Sequence, residues 1–306
     1  MVVLTVNAGS TTLKLHLVRG DASEAVEELE AADAVGHRVV HGGPRLQEPC
    51  LLDADVEAEI RRASVLAPLH NGPALEAIQR ARRALPDVPH VAVFDTGFHR
   101  TLPPAASTYA IPERWREEWN VRRYGFHGIS VQWAAQQLPA ARLVVCHLGG
   151  GCSVTAVRDG RSVDTTMGFS PLEGVPMATR SGSVDPGALL YLLRERLLSA
   201  NELERSLEHE SGLAALSGGG SGDIREATTL ALDVFVHRVA AAVAAMAAAC
   251  GGLDVLAFTG GIGEHAADVR SRIVERVRFL GEFRVEVVTA REELVIAHET
   301  RRILGS

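Results

Sequence analysis

Two tight glycine-containing turns in this sequence carry residue types that bind phosphate. The first turn brings Ser10, Thr12 and Lys14 together, and the second is the run of three glycines at residues 149–151. Glycine lets backbone N–H groups converge on an anion without a Cβ atom in the way. Hydroxyl groups and one ammonium group suit a phosphate and its metal ion. The two turns predict contacts to the two ends of a polyphosphate, which indicates a nucleotide-dependent phosphotransferase.

An apolar strand enters each of these turns and another leaves it. Residues 2–6 and 13–18 flank the first turn, and residues 143–148 and 152–157 flank the second. A hairpin needs asparagine and glycine for its turn geometry alone, so one such turn is more often structural than functional. The repetition favours the functional interpretation, and it predicts two related halves.

Length and charge restrict the class of protein. A chain of 306 residues predicts two domains, and a net charge of −7 disfavours binding to nucleic acid or to an anionic membrane. The four cysteines form no C-x-x-C pair, so we expect them to be reduced and the protein to be cytoplasmic. The longest apolar run, residues 239–250, is too short to span a bilayer and predicts a buried helix.

Buried strands and one irregular segment are expected to position further polar residues. Residues 90–94 are apolar and end at Asp95, and residues 254–259 end in a glycine-rich run. Ligands of open α/β sheets bind at the carboxyl ends of strands. Residues 167–186 are too rich in glycine and proline for a packed element, and this segment carries Arg180. No G-x-x-x-x-G-K-[ST] run occurs in the sequence, so a P-loop is excluded.

The helices predicted from apolar spacing and capping residues connect these strands. They are residues 53–66, 71–85, 187–198, 201–208, 224–250 and 266–279. We expect Asn71 to cap the second of them, and Ser183 and Asp185 to cap the third. The acidic stretch 21–34 predicts a short helix or a loop.

Separated blocks over most of the chain resemble the acetate and propionate kinases, which are members of the actin-like superfamily of phosphotransferases. The blocks are residues 7–14, 37–43, 67–71, 91–102, 122–130, 147–186, 211–225, 258–264 and 292–297, and the most specific stretch is residues 162–182 with the motif Pro-Leu-Glu-Gly. The resemblance implies an α/β, two-domain actin-like fold, a duplicated ribonuclease H-like architecture, with an interdomain cleft. Residues 1–96 with 293–306 are expected to form the first domain, and residues 97–292 a second domain that binds nucleotide and forms a homodimer.

The resemblance also assigns roles to single positions. Arg38 and Arg180 match arginines that bracket the substrate carboxylate and the phosphoryl group, Asp95 matches an essential acidic residue, His127 a histidine that stabilises the transition state, and His70 a substrate-binding position. ATP is the implied co-substrate, and Mg²⁺, or Mn²⁺ in its place, the implied metal. The implied nucleotide-binding positions are Ser10, Thr12, Lys14, His147, Leu148, Gly149, Gly150, Gly151, Asp223, Ile224, Arg225, Gly261, Ile262, Gly263, Glu264 and His265, and the implied metal positions are Asn7 and Glu292.

The chemistry of acyl phosphate formation agrees with these assignments. A carboxylate and a polyphosphate repel each other, so cations such as Arg38, Arg180, Lys14 and the metal must bring them together. A carboxylate is already a nucleophile and needs no strong general base. We therefore expect Asp95 to orient Arg180 or a metal-bound water rather than to abstract a proton, and His127 to donate a directed hydrogen bond.

Alternatives for the substrate and for catalysis follow from departures in the sequence. Gly150 and His265 stand where acetate kinases usually carry asparagine, and the chain is shorter than usual for the family after residues 18 and 277. The loss of one neutral hydrogen bond costs about 1 kcal/mol, which weakens nucleotide binding without abolishing transfer. Acetate is the expected substrate, and propionate or butyrate are alternatives. A non-catalytic nucleotide-binding regulator is the alternative from another class.

Overall fold

A computed structural model describes residues 1–9, 13–64 and 68–305, without the side chains of residues 68–70. The chain divides into unit 1, Met1–Thr101 with Ala110–Trp133 and Ala290–Ser306, and unit 2, Leu102–Tyr109 with Ala134–Thr289. This division differs from the sequence-based boundaries chiefly in residues 110–133, which group with unit 1. The reason is packing, because Ile129 and Trp133 share a core cluster with Val91, Val93 and Ile296.

Unit 1 contains a six-stranded sheet in the order β3-β2-β1-β4-β6-β5. Its strands are β1 (Val2–Ala8), β2 (Leu13–Arg19), β3 (Ala22–Val26), β4 (Ala34–Val39), β5 (Cys50–Leu51) and β6 (His90–Phe94). β1 pairs antiparallel with β2 and parallel with β4, and β4 pairs parallel with β6. The carboxyl ends of β1, β4 and β6 therefore share one edge of the sheet.

Unit 2 contains a five-stranded sheet in the order β11-β10-β7-β8-β9. Its strands are β7 (Arg142–Leu148), β8 (Cys152–Arg158), β9 (Arg161–Thr165), β10 (Val255–Thr259) and β11 (Arg284–Val287). β7 pairs antiparallel with β8 and parallel with β10, which pairs parallel with β11. Both sheets thus start with a hairpin and continue on the other side of its first strand with parallel strands. The prediction of two related α/β halves is confirmed.

Helices connect the strands of both units. They are α1 (Ala54–Ala63), α2 (Pro68–Ala84), α3 (Pro104–Ser107), α4 (Glu113–Glu117), α5 (Gly128–Gln137), α6 (Pro186–Arg194), α7 (Ala200–His209), α8 (Gly212–Leu216), α9 (Thr229–Cys250), α10 (Gly260–His265), α11 (Ala267–Val277) and α12 (Glu292–Leu304). Short 3-10 turns occupy Gly97–Thr101, Ile224–Glu226 and Arg278–Leu280.

The two faces of the unit 1 sheet are covered by different helices. Because side chains alternate along a strand, Leu4 and Val6 of β1 point to the face that packs against Ala81 of α2. Val3 of β1 points the other way and packs against Leu294 of α12. Burial on both faces explains why β1 and β6 read as continuous apolar runs.

The core of unit 2 is built around α9. The Thr228 hydroxyl accepts the N–H of Ala231 at its start, and Gly251 ends it in a left-handed conformation (φ 75°). By length and composition, α9 is a helix that could cross a membrane. Its residues at helical spacing, such as Phe235, Val239 and Val243, are instead buried where α9 packs on β7, β8 and β9. The predicted buried helix is thus present, and it begins at Thr229 rather than at residue 224.

Three predictions of local structure are wrong. The stretch 21–34 contains strand β3, whose residues are mostly exposed and so show no buried face in the sequence. Asn71 does not cap α2, which begins at Pro68, and lies fully buried inside it. Ser183 accepts the N–H of Gly174 rather than capping α6, whereas Asp185 caps α6 as predicted by accepting the N–H of Gly187.

Two buried histidines predict loss of stability in acid. Burial lowers the pKa of His37 to about 3 and that of His99 to about 4. Below their ordinary pKa of about 6.5 the unfolded chain takes up two protons that the native state does not bind. Each proton lowers the free energy of unfolding by about 1.4 kcal/mol per pH unit, so we expect a loss of up to about 2.7 kcal/mol per unit between pH 6.5 and 4.

Urea unfolding between pH 8 and pH 4 measures this slope. Stability is expected to be flat above pH 7 and to fall with increasing slope below it. His99→Asn is expected to reduce the slope by the contribution of one proton, about 1.4 kcal/mol per pH unit, whatever it does to the free energy of unfolding at neutral pH. A slope that begins only below pH 4.5 would assign the acid sensitivity to carboxylates instead.

Candidate active site

Four polar side chains meet at the carboxyl edge of the unit 1 sheet. Arg38 is the last but one residue of β4, and Asp95 follows directly after β6. Arg38 donates from Nε and Nη2 to the Asp95 carboxylate, and the distance from Nη2 to Oδ2 is 2.6 Å. Arg38 Nη1 donates to Oδ1 of Asn7 near the end of β1 (3.0 Å). Asn7 Nδ2 in turn donates to Oε2 of Glu292 at the start of α12 (2.7 Å). The structure therefore brings together two predicted catalytic residues and both predicted metal residues.

The electrostatics of this cluster favour a fixed ion pair. Asp95 is 1% and Arg38 16% exposed. Burial raises the pKa of Asp95, although the Arg38 charge acts to lower it. Burial would lower the pKa of Arg38, but the carboxylates of Asp95 and Glu292 outweigh it and raise that pKa. The guanidinium is thus charged and held by its fork-to-fork contact, with N–H groups still available on its terminal nitrogens.

The first hairpin contributes one more described candidate. Lys14 of β2 pairs with Asn7 across the hairpin, and its side chain is exposed on the same face. Ser10 and Thr12, predicted to bind phosphate, lie outside the described residues, as does the side chain of His70.

His127 is tied to Asp95 through the backbone. Gly128 N donates to the carbonyl of Asp95 at 2.9 Å, and Val131 N donates to the carbonyl of His127 at the start of α5. His127 has a backbone φ of 58°, in the left-handed region that residues other than glycine rarely adopt. Such strain persists where the surrounding structure fixes it, often at functional sites. The catalytic role of His127 stays a prediction, and its position beside Asp95 supports it.

Asn71 is a site-building residue that the sequence did not reveal as one. Its side chain accepts the N–H of His41 (3.0 Å) and donates to the His41 carbonyl (2.9 Å). His41 opens the turn that follows β4, three residues after Arg38. A buried amide that satisfies both backbone groups of one residue fixes the path of that turn. The sequence predicted a helix cap at Asn71 instead, and no sequence signal separated the two roles.

The predicted nucleotide turns lie side by side in unit 2. β7 and β10 are parallel neighbours, so the turn after His147 and Leu148 and the glycine run after Thr259 end at one edge of the sheet. A Cβ atom on Gly260 (φ 77°) would lie 2.8 Å from the Leu148 carbonyl oxygen, and one on Gly149 would lie 3.7 Å from Gly261 N. Glycine at position 260 is required by both its φ and this close approach.

The α10 residues predicted to bind nucleotide divide by exposure. Gly261 and His265 are exposed, Ile262 is half-buried and Gly263 is buried. Glu264 accepts the N–H of Gly260 and so stabilises the start of its own helix. At the end of β7 the Leu148 side chain is fully buried, so only its backbone can reach a ligand.

The irregular segment between β9 and α6 joins the remaining predicted nucleotide residues to these turns. Ala178 N donates to the carbonyl of Gly150 (3.3 Å), and a Cβ atom on Gly222 (φ 71°) would lie 2.2 Å from the Ala178 carbonyl oxygen. Asp223, Ile224 and Arg225 follow immediately, with Arg225 hydrogen bonds lowering the pKa of Asp223 to about 2. Three segments that are distant in sequence therefore meet at the edge formed by β7 and β10.

Arg180 lies two residues beyond Ala178. It is half-buried and donates from Nη1 to the Pro171 carbonyl (2.8 Å). Burial lowers its pKa, and the charge of Glu208 opposes this shift. Asp95 holds Arg38 and a backbone carbonyl holds Arg180, while the role expected for Asp95 toward Arg180 or a metal-bound water stays a prediction.

The metal candidates form a small oxygen-donor set. Among the described residues, no three His, Cys, Asp or Glu side chains cluster as a metal cage. Glu292 is 17% exposed and linked to Asn7, while the Asp95 carboxylate is engaged by Arg38. Mg²⁺ is usually bound by one or two protein oxygens with water and phosphate completing its shell. The donor set fits that ion.

Comparisons with known proteins agree on the family. The model of the acetokinase family matches residues 2–303. An acetate kinase of Deinococcus deserti is 44% identical over 340 aligned residues, which cover 97% of this chain and 84% of that protein. A solved propionate kinase of Francisella tularensis subsp. tularensis has a TM-score of 0.89 at 32% identity, and a solved Porphyromonas gingivalis acetate kinase 0.85 at 30%, each covering 99% of both chains.

These matches bear on the fold and on the family. They confirm the predicted actin-like fold class, because solved acetate and propionate kinases align with nearly the whole chain at high TM-score. The family match does not depend on a single motif, because the family model spans residues of both units. The chain belongs to the acetokinase family.

Proposed function

We propose that this protein is an acetate kinase, which transfers the γ-phosphoryl group of ATP reversibly and in line to acetate, giving acetyl phosphate and ADP. The observation that carries the proposal is the Arg38–Asp95 pair at the carboxyl edge of the unit 1 sheet, in a chain of the acetokinase family. A buried, pre-oriented guanidinium is the group that this reaction needs, because its two reactants repel each other.

Arg38 has the chemical features required to bind an anion during transfer. Its Nε and Nη2 contacts with Asp95 fix the plane of the guanidinium before substrate arrives. No reorganisation is then required when negative charge spreads over the transferring oxygens. We assign to Asp95 the role of holding Arg38. An acetate carboxylate attacks phosphorus directly, so no proton has to be removed from it.

Arg180 supplies a second cation in this proposal. Among the described residues it makes no ion pair, and its guanidinium is held by the Pro171 carbonyl. Glu208 acts on its charge only from beyond ion-pair distance, and a half-buried arginine held in this way is suited to an anionic ligand. Lys14 and a hydrogen bond from His127 complete the set of groups that we assign to the phosphoryl group.

The nucleotide is assigned to the glycine turns of unit 2. At one edge of the sheet lie the N–H groups of Gly150 and Gly151 and those at the start of α10. Gly222 packs against the Ala178 carbonyl, and it is followed directly by Asp223, Ile224 and Arg225. Backbone N–H groups of this kind bind phosphate oxygens. ATP is the proposed donor because this family resemblance implies it.

Glu292 and Asn7 would hold Mg²⁺, with Mn²⁺ as a substitute. The metal supplies positive charge to the phosphate oxygens when bound. Asn7 also links Arg38 to Glu292 and so orients both. A cytoplasmic location remains a prediction.

Trapping of the acyl phosphate with hydroxylamine tests the activity. The wild-type protein with ATP, Mg²⁺ and acetate is expected to form acetohydroxamate, and Arg38→Ala and Arg180→Ala are each expected to lose at least about 10²-fold in rate. Arg205→Ala removes an exposed arginine paired with Glu210 and serves as the matched control. No product with acetate, propionate or butyrate would favour a non-catalytic nucleotide-binding protein.

Propionate is the second candidate substrate. The likeness to the Francisella tularensis propionate kinase, at 32% identity, is as strong as that to a solved acetate kinase. One methylene changes binding by about 1–3 kcal/mol in a fitted pocket, or roughly 10–200-fold in kcat/KM. Parallel kcat/KM values for acetate, propionate and butyrate decide between them.

A homodimer through unit 2 is part of the proposal. Helix α6 has no buried residue, and its apolar side chains Leu190 and Tyr191 are 63% and 51% exposed. A second copy of the chain would cover this face. We expect a dimer by light scattering and a monomer for Leu190→Asp, while Phe279→Asp, which changes an exposed residue of the Arg278–Leu280 turn, stays dimeric. A monomeric wild-type protein would contradict this part.

A further inference from the structure

The segment that carries Arg180 contains no helix or strand, so its shape depends on hydrogen bonds. Gly174 N donates to Ser183 Oγ (3.0 Å), and Ser183 N donates to the Gly174 carbonyl (2.9 Å), which closes the second half of the segment into a loop. Within this loop Met177 N donates to the Arg180 carbonyl (3.0 Å). The first half, residues 166–173, needs a different anchor.

Tyr109 provides that anchor. Its hydroxyl accepts the N–H of Phe169 (3.0 Å) and donates to Oε2 of Glu173. A single phenol thus bonds to the chain at two points four residues apart. The hydroxyl and the carboxylate are also pressed against the backbone between β9 and Phe169, because a Cβ atom on Gly168 would lie 2.1 Å from Tyr109 Oη and 1.6 Å from Glu173 Oε2. A larger residue at position 168 would have to displace the ends of both side chains.

The loop that Tyr109 closes contains the contact of Arg180. Pro171 lies midway between Phe169 and Glu173, and its carbonyl accepts the hydrogen bond from Arg180 Nη1 (2.8 Å). The phenol hydrogen-bonds to both ends of the stretch that carries this carbonyl. The Tyr109 hydroxyl is therefore connected to the Arg180 guanidinium through one short, closed stretch of backbone.

Tyr109 is the last residue of a short segment of unit 2 that lies between two stretches of unit 1. Residues Leu102–Tyr109 belong to unit 2, although the chain on both sides, up to Thr101 and from Ala110, belongs to unit 1. The excursion begins a few residues after Asp95 and ends at Tyr109. One short segment thus connects covalently the residue that holds Arg38 and the residue that shapes the loop around Arg180.

We propose that Tyr109 and Glu173 are positioning residues for Arg180. The Tyr109 hydroxyl bonds to both ends of the Phe169–Glu173 loop, and that loop orients the Pro171 carbonyl that holds the guanidinium. The proposal rests on the proposed function, since it takes Arg180 to be a substrate-binding cation. It adds two residues to that function, neither of which touches the reactants.

Tyr109→Phe is the sharpest test, because it removes only the hydroxyl. A lost hydrogen bond to a charged group is worth about 1.5–3 kcal/mol, so kcat/KM for the carboxylate is expected to fall about 10- to 100-fold while KM for ATP changes little. Glu173→Gln keeps an acceptor for the phenol and is expected to retain more activity than Glu173→Ala. Ser271→Ala also removes one hydroxyl, on an exposed residue of α11, and is expected to be neutral.

A double-mutant cycle separates positioning from a general structural role. If Tyr109 acts through Arg180, Tyr109→Phe has no further effect on kcat/KM in an Arg180→Ala background. Fully additive losses would overturn the proposal, because they would show that the hydroxyl acts independently of the guanidinium.

Hydrogen–deuterium exchange keeps the test independent of activity. In Tyr109→Phe the amides of residues 166–182 are expected to exchange faster than in the wild-type protein, with no change in Ser271→Ala. If the wild-type protein forms no acyl phosphate, the proposed function fails, and hydrogen exchange alone then tests the positioning role. Unchanged protection of residues 166–182 in Tyr109→Phe overturns that role, and faster exchange supports it.

Discussion

Asp95→Asn is expected to lower kcat/KM for acyl phosphate formation by roughly 10²- to 10³-fold. The Asp95 side chain is 1% exposed and accepts from Nε and Nη2 of Arg38, so its charge balances a guanidinium that is itself nearly buried. Asparagine offers one acceptor oxygen and an N–H group that faces the guanidinium donors. Breaking a buried pair in this way costs about 3–5 kcal/mol, and Arg38 loses the orientation from which it acts.

Steady-state kinetics and thermal unfolding together check this expectation. Asp87→Asn makes the same change on an exposed residue between α2 and β6 and is expected to leave both measurements unchanged. Arg38→Lys keeps the charge but not the planar fork, so we expect it to be as impaired as Asp95→Asn. Near-normal turnover of Asp95→Asn beside an inactive Arg38→Ala would show that Arg38 does not need the carboxylate.

Much of the unit 1 site follows from local sequence rules. A buried apolar strand followed at once by Asp95 predicts a polar group at the carboxyl edge of a sheet, and β6 ends there. The first hairpin predicts that Lys14 lies at its turn, and Lys14 pairs there in register with Asn7. These predictions hold because they depend on alternation, turn chemistry and strand direction, all of which act over a few residues.

Other contacts could not be predicted in the same way. Asn7 and Glu292 are 285 residues apart in sequence, and Tyr109 and Glu173 are 64 apart. No periodicity connects such pairs, so only a resemblance to a family could name Glu292, and nothing named Tyr109. Strand β3 was missed for a related reason, since its exposed residues form a strand by pairing with β2 rather than by their own pattern.

Gly128→Ala is expected to disrupt the site and the fold around it, although it adds a single methyl group. A Cβ atom at position 128 would lie 2.1 Å from the carbonyl oxygen of Asp95 and 3.0 Å from Cβ of Phe98. That carbonyl also accepts the Gly128 N–H, so neither backbone can move without breaking this bond. We expect a loss of about 1–3 kcal/mol in the free energy of unfolding from overpacking. A displacement of about 1 Å at Asp95 and His127 would cost about 10² in kcat.

Gly72→Ala tests whether the effect comes from this contact or from the loss of a glycine. Gly72 lies inside α2, and a Cβ atom there would have no other atom within 4 Å. Alanine is better than glycine within a helix by about 0.5–1 kcal/mol, so the same substitution is expected to raise the free energy of unfolding at position 72 and to lower it at position 128. Equal signs at the two positions would contradict the packing described here. Opposite signs, with kcat lost only at position 128, would tie turnover to the backbone contact that places His127 beside Asp95.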